Sequence, residues 1–287
     1  MPLFSTAQVD EICRTLRTCG DQAVSMAQTK FQVYEKGKHD YVTDVDRALD
    51  KRLSGALTQL FPNDGVISEE NPASRDRFSA PSAPTQRLWL IDPLDGTDDF
   101  IEGKLHYAIM LGALEDGVPQ AGWVYSPAFR QLYWGGMGIG VFAAVDNDTP
   151  RLLPLPSYSA PSDRCTLLIG MKDNQRFGAA IAQAIPSAQF YSIGSFGLKV
   201  MEVVLGRADL YVYFNRKVKL WDTVGPLAIA RAAGLECCEP DGTPIRFTRD
   251  DIDPTTLTHH QPILVAYPEK MARWRSVVQQ AVMPLLT

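Results

Sequence analysis

The chain has 287 residues and a mass of 31.7 kDa, enough for one large domain or two of ordinary size. Apolar residues make up 45% and charged residues 21%, which excludes a largely disordered chain. Acidic residues number 33 and basic residues 28, and the net charge of −5 argues against a polymeric nucleic acid or a membrane surface as the partner.

The cysteine pattern and the N-terminal sequence predict a protein of a reducing compartment. The five cysteines are scattered and contain no CxxC pair, which argues against a disulfide framework or a zinc knuckle. The N-terminal residues lack the pattern of a signal peptide, and no apolar run approaches the ~18 residues that span a bilayer. We therefore expect a cytoplasmic location.

Two helices are predicted near the N-terminus, followed by a strand-rich stretch. Apolar spacing behind Ser5 indicates a helix over residues 5–30. A second helix is predicted over 44–60, capped by Thr43. Turn residues then separate short apolar runs in a pattern typical of an antiparallel meander. The runs are residues 87–91, 107–114, 120–125 and 131–134.

A stretch rich in proline and serine, residues 150–162, is the best candidate for a linker. Beyond it, helices and strands alternate, which favours a layered α/β arrangement. We predict an N-terminal α+β domain over residues 1–155 and a C-terminal α/β domain over 156–287. The predicted elements of the second domain are strands 166–170, 209–214 and 263–266, and helices 174–184, 195–205, 221–233 and 269–282.

The most informative segment is Asp92-Pro93-Leu94-Asp95-Gly96-Thr97, which follows an apolar run. Two carboxylates at the mouth of a strand repel each other unless a proton or a cation lies between them. Oxygen ligands favour magnesium, manganese or calcium over zinc. Asp-Pro and Asp-Gly are also common turn dipeptides, so this spacing alone leaves a plain turn as an alternative.

Further acidic residues stand where predicted strands end or helices begin. Glu69 and Glu70 follow the apolar pair at 66–67, and Asp46 lies in the first turn of a predicted helix. Asp222 begins another helix after Trp221. Asp46 and Asp222 have an ordinary alternative role, as groups that favour a helix N-terminus.

In this order, these motifs resemble the inositol monophosphatase superfamily, which comprises magnesium-dependent, typically lithium-sensitive phosphomonoesterases. The resemblance runs from about residue 5 to about residue 280 and implies a layered α-β-α-β-α sandwich of the sugar-phosphatase type. It implies two or three Mg²⁺ ions. Glu69, Asp92 and the Leu94 carbonyl match the ligands of one ion, and Asp92, Asp95 and Asp222 match those of another.

The same resemblance implies roles in catalysis. Thr97 and Asp46 match the pair that orients the attacking water, with Glu69 counted among the catalytic groups. The backbone amides of Gly96 and Thr97 match phosphate contacts. The implied reaction is direct attack of water on the phosphate ester. The four histidines form no evident catalytic set.

The resemblance implies a small phosphorylated molecule as the substrate. Gly194, Ser195 and Lys199 resemble a segment of the 3′(2′),5′-bisphosphate nucleotidase branch, whose substrate is 3′-phosphoadenosine 5′-phosphate. Lys217 and Lys219 near Asp222 suit a second phosphate, although they could equally form a solvated hairpin tip.

Several alternatives to the nucleotidase stay open. The first is a phosphatase of inositol phosphate or another small sugar phosphate, with histidinol phosphate and fructose bisphosphate as minor options. The second is a non-catalytic family member that binds nucleotide or metal, which the intact acidic set disfavours. A homodimer is possible.

Overall fold

The computed structural model of the protein describes residues 3–37, 40–79, 87–156 and 164–286. In chain order the elements are α1 (Thr6–Ala27), β1 (Val33–Gly37), β2 (Asp40–Thr43), α2 (Asp44–Leu60), β3 (Gly65–Ser68), α3 (Asp76–Ser79), β4 (Leu88–Asp95), α4 (Thr97–Ile101), β5 (Ala108–Glu115), β6 (Val118–Ser126), β7 (Gln131–Gly136), β8 (Gly140–Val145), β9 (Arg151–Leu152), β10 (Cys165–Ile169), α5 (Met171–Ala184), β11 (Ala188–Tyr191), α6 (Phe196–Val204), β12 (Leu210–Tyr213), α7 (Leu220–Ala232), β13 (Glu236–Cys238), β14 (Ile263–Ala266) and α8 (Pro268–Val282).

Two sheets organise the molecule. The first has seven strands in the order β3-β4-β5-β6-β7-β8-β9, with β3 parallel to β4 and the other neighbours antiparallel. The second has five strands in the order β11-β10-β12-β14-β13, with β11, β10 and β12 parallel. A separate hairpin pairs β1 with β2.

Helices cover both sheets and fill the space between them. Helices α1 and α2 bury apolar residues such as Leu16 and Leu49 against Trp89 of the first sheet. Helices α6 and α7 lie between the sheets, where Val224 shares one core with Met110 and Val265. Helices α5 and α8 cover the outer face of the second sheet. This α-β-α-β-α layering confirms the predicted fold class.

The starts of the first two helices are fixed by local chemistry. The Ser5 side chain accepts from the Gln8 backbone N–H while Gln8 accepts from the backbone of Ser5, which is a capping box. Thr43 and Asp46 form the same arrangement at the start of α2. These caps satisfy N–H groups that have no partner within the helix. Asp46, a predicted site residue, is therefore held in a defined orientation.

Helix α7 lies directly on the backbone of β5 and β6 because glycines line the contact. A Cβ on Gly122 would lie 2.0 Å from the Gly225 carbonyl oxygen, and a Cβ on Gly225 would lie 2.3 Å from the Leu111 carbonyl oxygen. Any larger residue forces the layers apart. This close contact fixes the first turn of α7, which carries Asp222, against the first sheet.

The predicted helices and the meander are confirmed to within a few residues. The pattern did not predict the exposed hairpin β1–β2 or the short strands β8, β9 and β11. Of the predicted linker, residues 157–163 lie outside the described residues. The division into domains at 155/156 stays a prediction. All five cysteines are free and buried, and no described helix is long and apolar enough to cross a membrane.

Candidate active site

Strand β4 delivers two acidic side chains to the edge of the first sheet. In a regular strand, residues three apart point to opposite faces. The pairing of β4 with β5 shifts between Asp92 and Asp95, which are opposite Met110 and Ala108 respectively. One extra residue in β4 therefore allows both carboxylates to face the same site. The chain then turns through Gly96, whose φ of 93° favours glycine, into α4.

Two more carboxylates come from neighbouring elements. Glu69 follows β3, and its backbone N–H donates to the Ile91 carbonyl over 3.1 Å. Asp222 lies in the first turn of α7 and accepts from the Lys219 backbone N–H over 2.6 Å. The Asp92 and Asp222 side chains are close enough to share a hydrogen bond, which two carboxyl groups form only when one carries a proton.

Burial and mutual repulsion dominate the electrostatics of this acidic cluster, which comprises Glu69, Asp92, Asp95 and Asp222. Burial raises the pKa of Glu69 to about 8, and Asp222 adds to the rise. Burial and the charge of Asp95 raise the pKa of Asp222 to about 7. The pKa of Asp92 lies well above its ordinary value because of burial and the three neighbouring carboxylates. Clustered acids of this kind need a proton or a cation between them.

Lys36 of β1 supplies a cation that the sequence pattern did not reveal. Its Nζ lies 3.2 Å from Glu69 Oε1 and 2.5 Å from Glu70 Oε1. Burial opposes its charge, but the two glutamates outweigh that effect and raise the pKa of Lys36. Only the tertiary fold brings these groups together, because more than 30 residues separate Lys36 from the two glutamates.

The chemistry of the acidic cluster fits a divalent cation. Its donors are carboxylate oxygens, with the Leu94 carbonyl beside them, and hard oxygen ligands are those that Mg²⁺ prefers. Within the described residues, no group of three or more Asp, Glu, His or Cys side chains is arranged to hold a metal ion. The carboxylates instead accept from protein groups, as Asp95 does from the Ser195 hydroxyl and the Gly197 N–H.

The structure places Thr97 beside Asp46. The Thr97 hydroxyl donates to the Leu94 carbonyl over 2.9 Å and lies 3.3 Å from Asp46 Oδ1. Asp46 is 1% exposed, and its other oxygen accepts from the Thr43 N–H over 2.8 Å. Burial raises the pKa of Asp46. The hydroxyl proton of Thr97 thus has acceptors within the protein, which leaves the oxygen lone pairs for another donor.

A cavity of about 550 Å³, hereafter the catalytic cavity, opens beside the acidic cluster. Glu69, Gly96 and Thr97 line it together with Gly194 and Lys199. These five residues were predicted from separate segments of the sequence, and the fold places them around one cavity.

The other predicted substrate residues have different surroundings. Ser195 caps α6 and donates its hydroxyl to Asp95, so it orients that carboxylate. Lys199 is 7% exposed and donates to the Gly194 carbonyl over 2.8 Å. Lys217 is exposed, and the Lys219 Nζ donates to Thr258 Oγ1 over 2.5 Å. Neither Lys217 nor Lys219 lines the catalytic cavity.

Several lining residues were not predicted. Asp99 lies so close to Gly194 that a Cβ there would be 2.5 Å from the Asp99 carboxylate. Lys172 and Asp173 reach the cavity from the start of α5, and Asp173 accepts from the Phe214 N–H over 2.7 Å. An Asp in the first turn of a helix was the only sequence signal for Asp173, and it is not specific.

The sequence model of the inositol monophosphatase family matches residues 6–282. The chain belongs to this family. It is 28% identical over 253 residues to the 3′(2′),5′-bisphosphate nucleotidase CysQ of Escherichia coli K12, covering 84% of this chain and 94% of the relative. It is also 28% identical over 201 residues to the histidinol-phosphatase of Mycobacterium tuberculosis, covering 70% and 75%.

The fold agrees with this membership. The IMPase of Thermotoga maritima superposes with a TM-score of 0.75 at 21% identity, covering 98% of this chain and 100% of that chain. A plant relative, the inositol monophosphatase of Mesembryanthemum crystallinum, is 28% identical over 245 residues, covering 82% and 84%. Family membership makes this protein a metal-dependent phosphoric monoester hydrolase.

Proposed function

We propose that the protein is a Mg²⁺-dependent phosphatase that hydrolyses 3′-phosphoadenosine 5′-phosphate to AMP and phosphate. The observation that carries this proposal is a cavity lined by Glu69 of the acidic cluster together with Gly194 and Lys199. Among the three sequence relatives described above, the bisphosphate nucleotidase CysQ has the largest share of its length, 94%, aligned with this chain.

The acidic cluster and Leu94 would hold two or three Mg²⁺ ions. When bound, these cations neutralise the phosphate dianion, lower the pKa of a water molecule and stabilise the leaving oxygen. Glu69 and Asp92 would serve one ion, and Asp92, Asp95 and Asp222 another. Cations here would offset the burial and the repulsion from Asp222 that raise the pKa of Glu69 to about 8.

The remaining residues act on water and phosphate. The Thr97 hydroxyl donates its hydrogen bond to the Leu94 carbonyl or to Asp46. Its oxygen accepts a hydrogen bond from the attacking water and so orients that water. The N–H groups of Gly96 and Thr97, at the start of α4, face the phosphate. The phosphoryl group passes directly to water, so the reaction needs no histidine or cysteine nucleophile.

A second phosphate needs cations in the same cavity. Lys199 lines it; burial lowers the pKa of Lys199, while Asp95, Asp99 and Asp173 act in the opposite direction. Lys172 adds an exposed ammonium group there. We include Gly194, Lys199 and Lys172 in the proposed substrate site. Lys217 and Lys219 stay candidates, but a substrate would have to extend outside the cavity to reach them.

Inositol phosphate is the second candidate, because the catalytic cavity also presents acids. Asp98, Asp99 and Glu102 line it and suit the hydroxyl groups of a sugar better than a second phosphate. The same wall contains Lys104, which pairs with Asp99 over 3.3 Å and with Glu102 over 2.5 Å.

A side-by-side assay of 3′-phosphoadenosine 5′-phosphate and inositol 1-phosphate decides between the two. We expect kcat/KM to be higher for the bisphosphate, and preference for inositol 1-phosphate would contradict the proposal. Lys172→Ala should raise KM for the bisphosphate about tenfold, because one charge-assisted contact is lost. It should change KM for a monophosphate little. The double variant Lys217→Ala/Lys219→Ala, assayed in parallel, tests the two residues outside the cavity.

A further inference from the structure

A second cavity, hereafter the ring cavity, lies between the β6–β7 turn and α6. Its volume is about 400 Å³, within the roughly 300–1,000 Å³ typical of small-ligand pockets. His106 and Ile193 line both this cavity and the catalytic cavity. A ligand bound at the acidic cluster can therefore extend past these two residues into the ring cavity.

The walls of the ring cavity are mainly aromatic and apolar. Phe129 contributes a ring that is 44% exposed, an unusual degree of exposure for so large an apolar side chain. Its centroid lies 5.7 Å from that of His106. Tyr191, Leu198 and Met201 form the rest of the apolar lining. Flat apolar walls of this kind bind the face of a planar ring by stacking and burial of apolar surface.

Two of the polar side chains that line the ring cavity can bind a ligand. Ser126 is 1% exposed, and within the described chain its hydroxyl has no hydrogen-bond partner. A buried hydroxyl without a partner is costly, so a group that enters the cavity and bonds to it is favoured. Glu202 accepts from Tyr191 over 3.2 Å and from Arg207 over 2.9 Å. Its carboxylate retains lone pairs for a further donor, such as a ring amino group.

We propose that the ring cavity binds the planar heterocycle of the substrate while the acidic cluster holds the phosphate that is cleaved. The ligand class is an amino-substituted aromatic heterocycle carried on a phosphorylated sugar. Ser126 and Glu202 select its polar edge, and Phe129 packs on its face. The inference rests on the proposed function, since it assigns the part of the substrate that lies farthest from the reacting phosphate.

Two variants test the cavity with 3′-phosphoadenosine 5′-phosphate and inositol 1-phosphate as substrates. Ser126→Ala removes an unpaired hydroxyl, so it should leave the melting temperature unchanged or higher while raising KM for the nucleotide about two- to tenfold. Phe129→Ala should raise that KM about tenfold or more through loss of stacking. Both should leave KM for inositol 1-phosphate unchanged. Met137→Ala, at an exposed site outside both cavities, is the control and should change neither KM.

The outcomes separate this inference from the proposed function. If the wild-type enzyme prefers the nucleotide but both variants change the two KM values equally or not at all, the ring cavity is not the subsite. If the wild-type enzyme does not turn over the nucleotide, the proposed function fails. Adenosine binding measured by NMR then tests whether the ring cavity binds a heterocycle. Absence of adenosine shifts at the ring cavity, or unchanged adenosine binding in Phe129→Ala, overturns the inference.

Discussion

Asp95 links the acidic cluster to the helix that lines the catalytic cavity. Its carboxylate accepts from the Ser195 hydroxyl and from the Gly197 N–H over 2.8 Å, while burial raises its pKa. These hydrogen bonds need an acceptor oxygen, which an amide also provides. Cation binding needs the negative charge, which an amide lacks. The acceptor oxygen of Asp95 therefore stabilises the fold through hydrogen bonds, and the negative charge of its carboxylate is needed to bind a cation.

Replacing Asp95 with Asn separates these two roles. We expect Asp95→Asn to reduce kcat by about 10³-fold or more, the range for loss of a group that stabilises the transition state. Its thermal melt in EDTA should stay within a few degrees of the wild type, because the amide oxygen keeps the hydrogen bonds. Asp116→Asn, at an exposed turn with φ of 51°, is the control and should keep full activity. An active Asp95→Asn enzyme would contradict the assignment of the cluster as the metal site.

His259 behaves as a permanently neutral residue behind α7. It is fully buried, its Nε2 lies 2.7 Å from the Thr223 hydroxyl, and its Nδ1 has no partner in the described chain. Burial lowers the pKa of His259 to about 3, although nearby Asp251 opposes the shift. As the pH falls below 6.5, the unfolded chain takes up a proton at this position and the folded protein does not.

This difference predicts a pH-dependent loss of stability. The free energy of unfolding should fall between pH 6.5 and pH 3, with His259 contributing a loss of about 2 kcal/mol by pH 5. His259→Gln keeps a polar group near Thr223 but does not titrate. Urea unfolding of both proteins in EDTA at pH 7 and pH 5 should show a smaller pH-dependent loss in the variant. Parallel losses in the two proteins would show that His259 is protonated when folded.

Sequence patterns predicted the helices and strand ends that local interactions determine. The caps at Ser5 and Thr43 and the apolar periodicity of α1 and α2 fix those helices, and the Asp-Pro-Leu-Asp-Gly-Thr motif fixes the end of β4. The hairpin β1–β2 was missed because every residue of β1 is exposed, which leaves no alternating pattern. Lys36 and Asp173 join the site only through contacts distant in sequence, and no local signal reports such contacts.

The contact of α7 with the first sheet gives a prediction at this scale. Gly122→Ala places a methyl group against the Gly225 backbone, so we expect it to lower the free energy of unfolding by about 1–3 kcal/mol or more and to reduce activity by displacing Asp222. Gly55→Ala in α2 meets nothing within 4 Å and should instead stabilise the protein by about 0.5–1 kcal/mol through helix propensity. Denaturant titrations of both variants check the pair. Equal effects of the two substitutions would show that the layers can move apart freely.

The whole molecule combines a packed five-layer core with a patch of buried like charge. Most of its apolar side chains contribute to three continuous cores, and the acidic cluster lies where the first sheet meets α7. Such a cluster lowers the stability of the metal-free protein through repulsion and loss of hydration. Under the proposed function, bound cations would stabilise the fold, because they would bind the native state alone.

Magnesium should therefore stabilise the whole fold and not only support turnover. At a Mg²⁺ concentration 100-fold above its Kd, we expect the free energy of unfolding to rise by about 2.7 kcal/mol and the melting temperature by about 5 °C. Differential scanning calorimetry in EDTA and in MgCl₂, with NaCl matching the ionic strength, measures the shift. Asp95→Asn should lose most of it because the cation loses a charged ligand, whereas Asp116→Asn should retain it. An equal rise with NaCl would mean that general screening, and not a bound cation, relieves the repulsion.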